Sequence, residues 1–199
     1  MKFKIRPYHI TDLSSLYRIC LFTGYNGGDA TPYLRDTDLV GHLFAAPYAV
    51  FEPDLCFVLA TDYAPCGYIL GTRDSITFYE KCEKQWFPEL RKRYPLPQKK
   101  KKSLEATLIR FFLHRKQIAV KGLEDYPAHL HIDILPIAQR KGYGSKLIEN
   151  FLRRLQSQNV QGVHLIVSKN NQNAIDFYRQ VGFKELKELG ESIAFGRRL

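Results

Sequence analysis

Gly142 and Gly144 stand between a strand-like run, Leu130 to Leu135, and a strongly helical, amphipathic stretch, Lys146 to Leu155. The run has the character of a strand and the stretch that of a helix, so Gln139-Arg140-Lys141-Gly142-Tyr143-Gly144-Ser145 is the turn between them. A strand that feeds a glycine turn and then a helix makes an anion site. The first N–H groups of the helix have no intrahelical partner, and the helix dipole is positive at that end. Without a Cβ, Gly142 and Gly144 let a ligand oxygen approach the backbone and let the turn adopt φ > 0. The expected ligand is a phosphate or pyrophosphate.

Three phosphate-binding designs compete for such a turn. The Walker pattern Gly-x-x-x-x-Gly-Lys-Ser/Thr occurs nowhere in the chain. A dinucleotide fingerprint needs a third glycine where Leu147 stands. The pattern that is met is Gln/Arg-x-x-Gly-x-Gly/Ala, at Gln139, Gly142 and Gly144. It resembles the pyrophosphate loop of the GCN5-related N-acetyltransferases (GNAT), which bind acetyl-coenzyme A. An ordinary glycine turn before a helix would satisfy so short a motif, so a second feature has to decide.

That feature lies near the C-terminus. Val163 to Ser168 reads as a buried strand, followed by Asn171-x-x-Ala174-x-x-Phe177-Tyr178-x-x-x-Gly182-Phe183. Asn171 can cap the helix and Gly182 can stop it. The spacing resembles the second half of the same family's coenzyme site. The N-terminus agrees: Ile5-Arg6-Pro7, then Thr11-Asp12 before the stripe Leu13, Leu16, Tyr17, Cys20, gives a strand and a capped helix. Leu55 to Ala60 and Gly67 to Thr72 follow as two strands around a turn containing Pro65. These strands, with Phe78, Lys81-Cys82, Trp86 and Tyr94, also resemble a narrower group, the acetyltransferase-like C-terminal domain of O-GlcNAc hydrolases. Some of that group have a degraded pyrophosphate loop; here the loop is intact.

The resemblance implies an α/β (α+β) GNAT fold, a central mixed, mostly antiparallel sheet flanked by helices. A helical insertion is expected between the third and fourth strands, from about Asp74 to Tyr126. The 199 residues suit one domain. In the insertion, Phe78, Tyr79, Cys82, Trp86, Phe87 and Leu90 recur at helical spacing, with Pro88 placed to kink or restart the helix. Ser103 is placed to cap a helix over Leu104 to Ile118 with the stripe Leu104, Leu108, Phe111, Phe112, Arg115. These helices cover the sheet, wall an acceptor pocket, or do both. Tyr25-Asn26-Gly27-Gly28-Asp29 is a candidate rim whose glycine pair implies a mobile loop.

Composition narrows the setting. No apolar run reaches the roughly 20 residues that span a bilayer, and Met1 to Arg6 is not followed by a signal-peptide core. Cys20, Cys56, Cys66 and Cys82 form no Cys-x-x-Cys pair, so buried reduced thiols in a cytoplasmic protein are expected, and no metal. The net charge of +10 suits a polyanionic coenzyme or an acidic partner. Lys99 to Lys102 is a proline-flanked lysine run without any nucleic-acid motif, which reads as a solvated loop and argues against nucleic-acid binding.

The chemistry follows from the resemblance. Backbone N–H groups near Ile134 and Leu135 would hold the thioester oxygen and the pantetheine arm, and Gln139 to Ser145 (Gln139, Arg140, Lys141, Gly142, Tyr143, Gly144, Ser145) the pyrophosphate. Asn171 would bond the arm, with a helix cap as its simpler role. Tyr178 matches the tyrosine that reaches the coenzyme sulfur and donates the proton to it; a phenol is protonated at neutral pH. For the base the residues leave alternatives open. His129, His131 and Asp133 alternate on one face of the strand, opposite Ala128, Leu130, Ile132 and Ile134. A bulge could bring Asp133 to the acetyl group; equally, His131 and Asp133 could pair at the surface, or solvent could deprotonate the amine. The implied function is an N-acetyltransferase moving acetyl from acetyl-CoA to a primary amine, as a monomer or homodimer. The rivals are a non-catalytic acyl-CoA-binding or partner-binding module and a basic nucleic-acid-associated protein.

Overall fold

The computed structural model describes residues 2–115 and 120–199. A seven-stranded sheet runs in the order β1-β2-β3-β4-β5-β7-β6. Its strands are β1 (Lys4–Pro7), β2 (Phe57–Ala60), β3 (Pro65–Thr72), β4 (Ala128–Ile134), β5 (Gly162–Ser168), β6 (Lys184–Leu189) and β7 (Ser192–Arg198). Every pairing is antiparallel except β4 with β5. This is the mixed, mostly antiparallel sheet expected. Pro65, expected in the turn, instead opens β3, opposite Ala60.

Helices flank both faces. On one lie α1 (Leu13–Thr23), α2 (Leu39–Phe44), α3 (Ala46–Phe51) and the insertion, with α4 (Ser75–Lys81), α5 (Phe87–Arg93) and α6 (Leu104–Leu108). On the other lie α7 (Tyr143–Gln156) and α8 (Gln172–Gln180). The sheet's period of two divides its central side chains between two cores. Tyr68 and Leu70 of β3 join Leu16, Ile19, Leu39, Tyr48 and Phe78 on the α1 side. Ile69 turns the opposite way, to Leu147, Phe151 and Leu155 of α7. All eight residues of β3 are buried, as a central strand covered on both faces requires.

The helix restarts at Pro88, in the first turn of α5, but the insertion departs from regular α-helical periodicity. Cys82–Trp86 and Ile109–Leu113 are π-helical turns. The extra residue in such a turn rotates the residues after it about the helix axis. Ile109 and Leu113 are therefore buried, whereas Phe111 and Phe112 of the expected stripe are 45% and 36% exposed. Helical structure in this stretch ends at Leu113, and the remainder of the expected helix reaches residues 116–119, outside the described residues. The cysteines Cys20, Cys56, Cys66 and Cys82 are buried free thiols. Among the described residues no helix is long and apolar enough to cross a membrane.

Candidate active site

The parallel pairing of β4 with β5 is short. Ala128 faces Val163 and His129 faces His164, and there it ends. From Leu130 onward β4 keeps its partner β3 and parts from β5. Leu135 N–H donates to Cys66 O at 2.8 Å, in the same register as the Gly67–Ile134 and Tyr68–Asp133 pairs. Antiparallel pairs alternate, so Asp133 and Leu135 bond to β3 while Ile132 and Ile134 turn their backbone groups away from it. The Ile134 carbonyl confirms that direction, accepting Gln139 Nε2–H at 2.6 Å. The expectation for Ile134 and Leu135 is thereby divided. The Leu135 N–H is already used, and Ile134 is the one whose N–H faces the opening.

The strands part over a cleft of about 580 Å³. Gln139, Arg140, Gly142, Gly144 and Ser145 line it from the loop, Ile132, Asp133 and Ile134 from β4, and Asn171, Phe177 and Tyr178 from α8. Lys141 and Tyr143 of the loop do not. The Lys141 ammonium donates to Ile137 O at 2.8 Å and lies 5.0 Å from the centre of the Phe3 ring. The Tyr143 ring packs on Phe3 at 5.2 Å. Any part these two play falls to their backbone N–H groups. The loop backbone has the form an anion needs: Arg140 at φ +56° and Gly142 at φ +76° are left-handed. A Cβ on Gly142 would meet nothing within 4 Å, so the space above it is open. The α7 N-terminus comes directly after it. The residues present thus fit a pyrophosphate.

Asn171 forms the helix cap, one of the two roles expected of it. Its Oδ1 accepts the Ala174 N–H and caps α8, leaving Nδ2 beside Gly27 at the cleft rim. The rim is built as a tight turn. Asn26 and Gly27 have φ of +50° and +86°, and Tyr25 and Gly28 exchange two backbone hydrogen bonds of 2.9 Å. That is a closed type I′ turn, and glycine is there because the turn demands φ > 0. Tyr25 further stacks on Tyr33, their centres 4.1 Å apart.

Tyr178 is buried at its ring and reaches the cleft with its hydroxyl, which has no hydrogen-bond partner among the described residues. Burial, and then the nearby Asp133 carboxylate, push its pKa above the ordinary phenol value, so it stays a donor. Asp133 needs no bulge to reach the cleft, since β4 runs in continuous register with β3 and the parted edge exposes it. It does not pair with His131 at the surface. Its carboxylate accepts the Tyr68 hydroxyl at 2.6 Å. His131 Nε2 instead meets the Tyr48 hydroxyl at 3.2 Å. Burial pushes the Asp133 pKa above the usual carboxylate range, and bonds from Tyr68 and Thr23 oppose that rise. His129 is buried against Tyr48 and Ser75, far from any solvent-facing role. Tyr68 is the functional candidate that sequence reasoning missed, because its tie to Asp133 depends on strand pairing 65 residues away.

The acetyltransferase (GNAT) family model matches residues 29–183, and the chain belongs to that family. Protein O-GlcNAcase of Rattus norvegicus and that of Mus musculus are each 28% identical over 189 residues, 94% of this chain and 20% of their own length. The chain therefore spans about a fifth of these curated relatives. Among solved structures, SsHAT superposes with a TM-score of 0.94 at 37% identity, covering 100% of this chain and 98% of that one. The PaiA N-acetyltransferase of Thermoplasma acidophilum, solved with coenzyme A, reaches a TM-score of 0.61 at 15% identity with full coverage of both. At that identity the likeness is one of fold.

Proposed function

We propose that the chain is an N-acetyltransferase that moves an acetyl group from acetyl-CoA to a primary amine, with residues 1–199 acting as one catalytic unit. The observation that carries this reading is the convergence of three donors on one cleft. They are the loop and helix N-terminus at Gly142 to Ser145, the outward N–H of Ile134, and the unpartnered Tyr178 hydroxyl. The first suits a pyrophosphate. The second suits a carbonyl oxygen that gains charge during acyl transfer. The third suits a departing thiolate.

Acetyl-CoA would supply the thioester. Gly142, Gly144 and Ser145 would bind its pyrophosphate through backbone N–H groups, and Asn171 Nδ2 would meet the arm. The Tyr178 Oη–H would deliver a proton to the sulfur as it leaves. Asp133, set in the parted strand edge, is the group available to orient the incoming amine or take its proton. A cytoplasmic setting and a monomeric or homodimeric form belong to the same reading.

The test is a broad amine panel with acetyl-CoA, following thiol release and acetylated product. Amine-dependent release above the hydrolysis background supports transfer. Saturable coenzyme binding without release for any amine would leave a coenzyme-binding module and remove the enzyme.

A further inference from the structure

Three carboxylates lie deep in this fold, and they are treated differently. Asp12 is buried and pairs with the Arg6 guanidinium through two bonds of 2.6 and 2.8 Å. Glu52 is buried and receives Nε–H and Nη2–H of Arg73 at 3.2 and 3.1 Å. Asp133 has no cation within ion-pair reach among the described residues. The groups that bond its side chain are neutral, the Tyr68 hydroxyl at 2.6 Å and Thr23. The other carboxylate lining the cleft, Asp176, is held by Gln172 and by Arg179. A buried carboxylate is costly unless something cationic compensates it. Asp12 also lines a hollow, but Arg6 already meets its charge there. Asp133 faces its cleft without a cation among the described residues, so the compensating charge can arrive with a ligand.

We propose that Asp133 is the counterion for the acceptor's ammonium, that Tyr68 is the positioning residue that holds it, and that the acceptor is accordingly an alkylamine with no carboxylate beside its amino group. The inference rests on the acetyl-transfer reading of the cleft and names the acceptor class.

The exclusion of α-amino acids comes from the other groups that line the cleft. Arg140, on the loop before α7, is its one basic lining residue among the described residues. The groups around Asp133 are Thr23 and Cys20 of α1, Tyr68 of β3 and Tyr178 of α8, all neutral. An ammonium seated on Asp133 would bring an α-carboxylate within roughly 5 Å of the Asp133 oxygens with no cation to receive it. At that distance, near a partly screened surface, like-charge repulsion exceeds the free energy of a tenfold change in affinity. Lysine side chains, polyamines and amino sugars carry their amines without that neighbour.

Tyr68 is suited to positioning. It is fully buried and stands directly across from Asp133 in the β3–β4 register. Its ring is fixed in the α1-side core, so its hydroxyl gives the carboxylate one orientation. The hydroxyl also favours the ionised form of Asp133, because it donates to it.

The test uses matched probes on coenzyme A-saturated protein: pentylamine, norleucinamide and norleucine, which share one amine and chain and differ in the group beside it. Calorimetric titration should give pentylamine and norleucinamide dissociation constants at least about tenfold below that of norleucine. Asp133→Asn should bring the three close together. Tyr68→Phe removes one oxygen from a packed ring; it should keep the fold and move the acidic loss of pentylamine binding to higher pH, an effect a purely packing role would not produce. Norleucine binding as tightly as its amide, discrimination that survives Asp133→Asn, or no pentylamine binding at all would overturn the proposal. Thiol release from acetyl-CoA separates it from the reading it rests on. Discriminating binding without release removes the transferase and keeps the counterion, whereas release that is equal for norleucine and pentylamine removes the counterion and keeps the transferase.

Discussion

A Cβ on Gly144 would lie 2.9 Å from Cε2 and 3.0 Å from Cζ of Phe177, so the first turn of α7 is pressed against the ring of α8. The two motifs that flank the cleft are thus in physical contact. Gly144 is a glycine for packing, and Gly142 is one for backbone, since its Cβ would be unobstructed but its φ is +76°. The two alanine variants should therefore fail differently. Gly144→Ala forces Phe177 to move and should cost about 1–3 kcal/mol in chemical unfolding, as overpacking does. Because Phe177 precedes Tyr178, the same variant should lose turnover as well. Gly142→Ala should cost about 1–2 kcal/mol from its left-handed backbone alone. Equal effects of the two variants on turnover would show that Gly144–Phe177 packing does not set the position of Tyr178.

This contact also marks the limit of what the sequence made legible. Each motif could be read alone, because a glycine turn before a helix and an Asn-capped helix are local patterns. That Gly144 serves Phe177 depends on where α8 lands. The same holds at β4. The alternation of His129, His131 and Asp133 was plain, but which of Ile134 and Leu135 keeps a free N–H depends on the register with β3, fixed by Cys66 far away in the chain. Helices α2 and α3 went unread because each is six residues long, broken at Ala45 with Pro47 in the first turn of α3, too short for a periodic signal. In the insertion the stripe was sound until Leu108, where the π turn changes the period on which the expectation relied.

Acetyl-CoA should stabilise the fold. At about 100 times its dissociation constant, linkage adds roughly 2.7 kcal/mol, which a thermal scan reads as an upward shift in Tm. Gly142→Asp should abolish that shift even if it folds, since its carboxylate would enter the open space above the loop and repel a phosphate. No shift in the wild-type protein at saturating coenzyme would remove the loop from consideration.

Tyr178→Phe should separate chemistry from packing. The ring sits among Phe177, Phe183 and Phe195 at centroid distances of 5.4, 5.9 and 6.2 Å, and Phe would keep those contacts. Its hydroxyl has no hydrogen-bond partner to lose among the described residues. Stability and the coenzyme-induced shift should be unchanged, while kcat falls toward the low end of the 10²–10⁴-fold range expected for general acid catalysis. Wild-type turnover of the variant from about pH 6 to 10 would make Tyr178 a packing residue.

The buried histidines predict how the fold responds to acid. Ser75 Oγ–H donates to Pro127 O at 2.6 Å, so His129 Nδ1–H must be the donor to Ser75 Oγ at 2.7 Å. His129 Nε2 then accepts the Tyr48 hydroxyl at 2.7 Å, and the Tyr48 oxygen can accept His131 Nε2–H at 3.2 Å. This chain is satisfied with both imidazoles neutral, and a second proton on His129 would face the Tyr48 O–H. Burial first, then the charges of His131 and His164, hold the His129 pKa well below its ordinary value; burial pushes His131 down to about 4. The folded pKa values lie below the unfolded value near 6.5, so below that pH the unfolded chain binds protons that the folded one refuses. Stability should be fully present above about pH 6.5 and fall as the pH is lowered toward 4, with His131 contributing up to about 3 kcal/mol of the loss. Asp133, whose pKa is raised, acts in the opposite sense and offsets part of it. His131→Phe removes one titrating ring and leaves the Tyr48–His129 bond in place. In urea unfolding between pH 8 and 4 its stability should decline less steeply than that of the wild type, and an unchanged slope would show that His131 is not among the groups that destabilise the fold in acid.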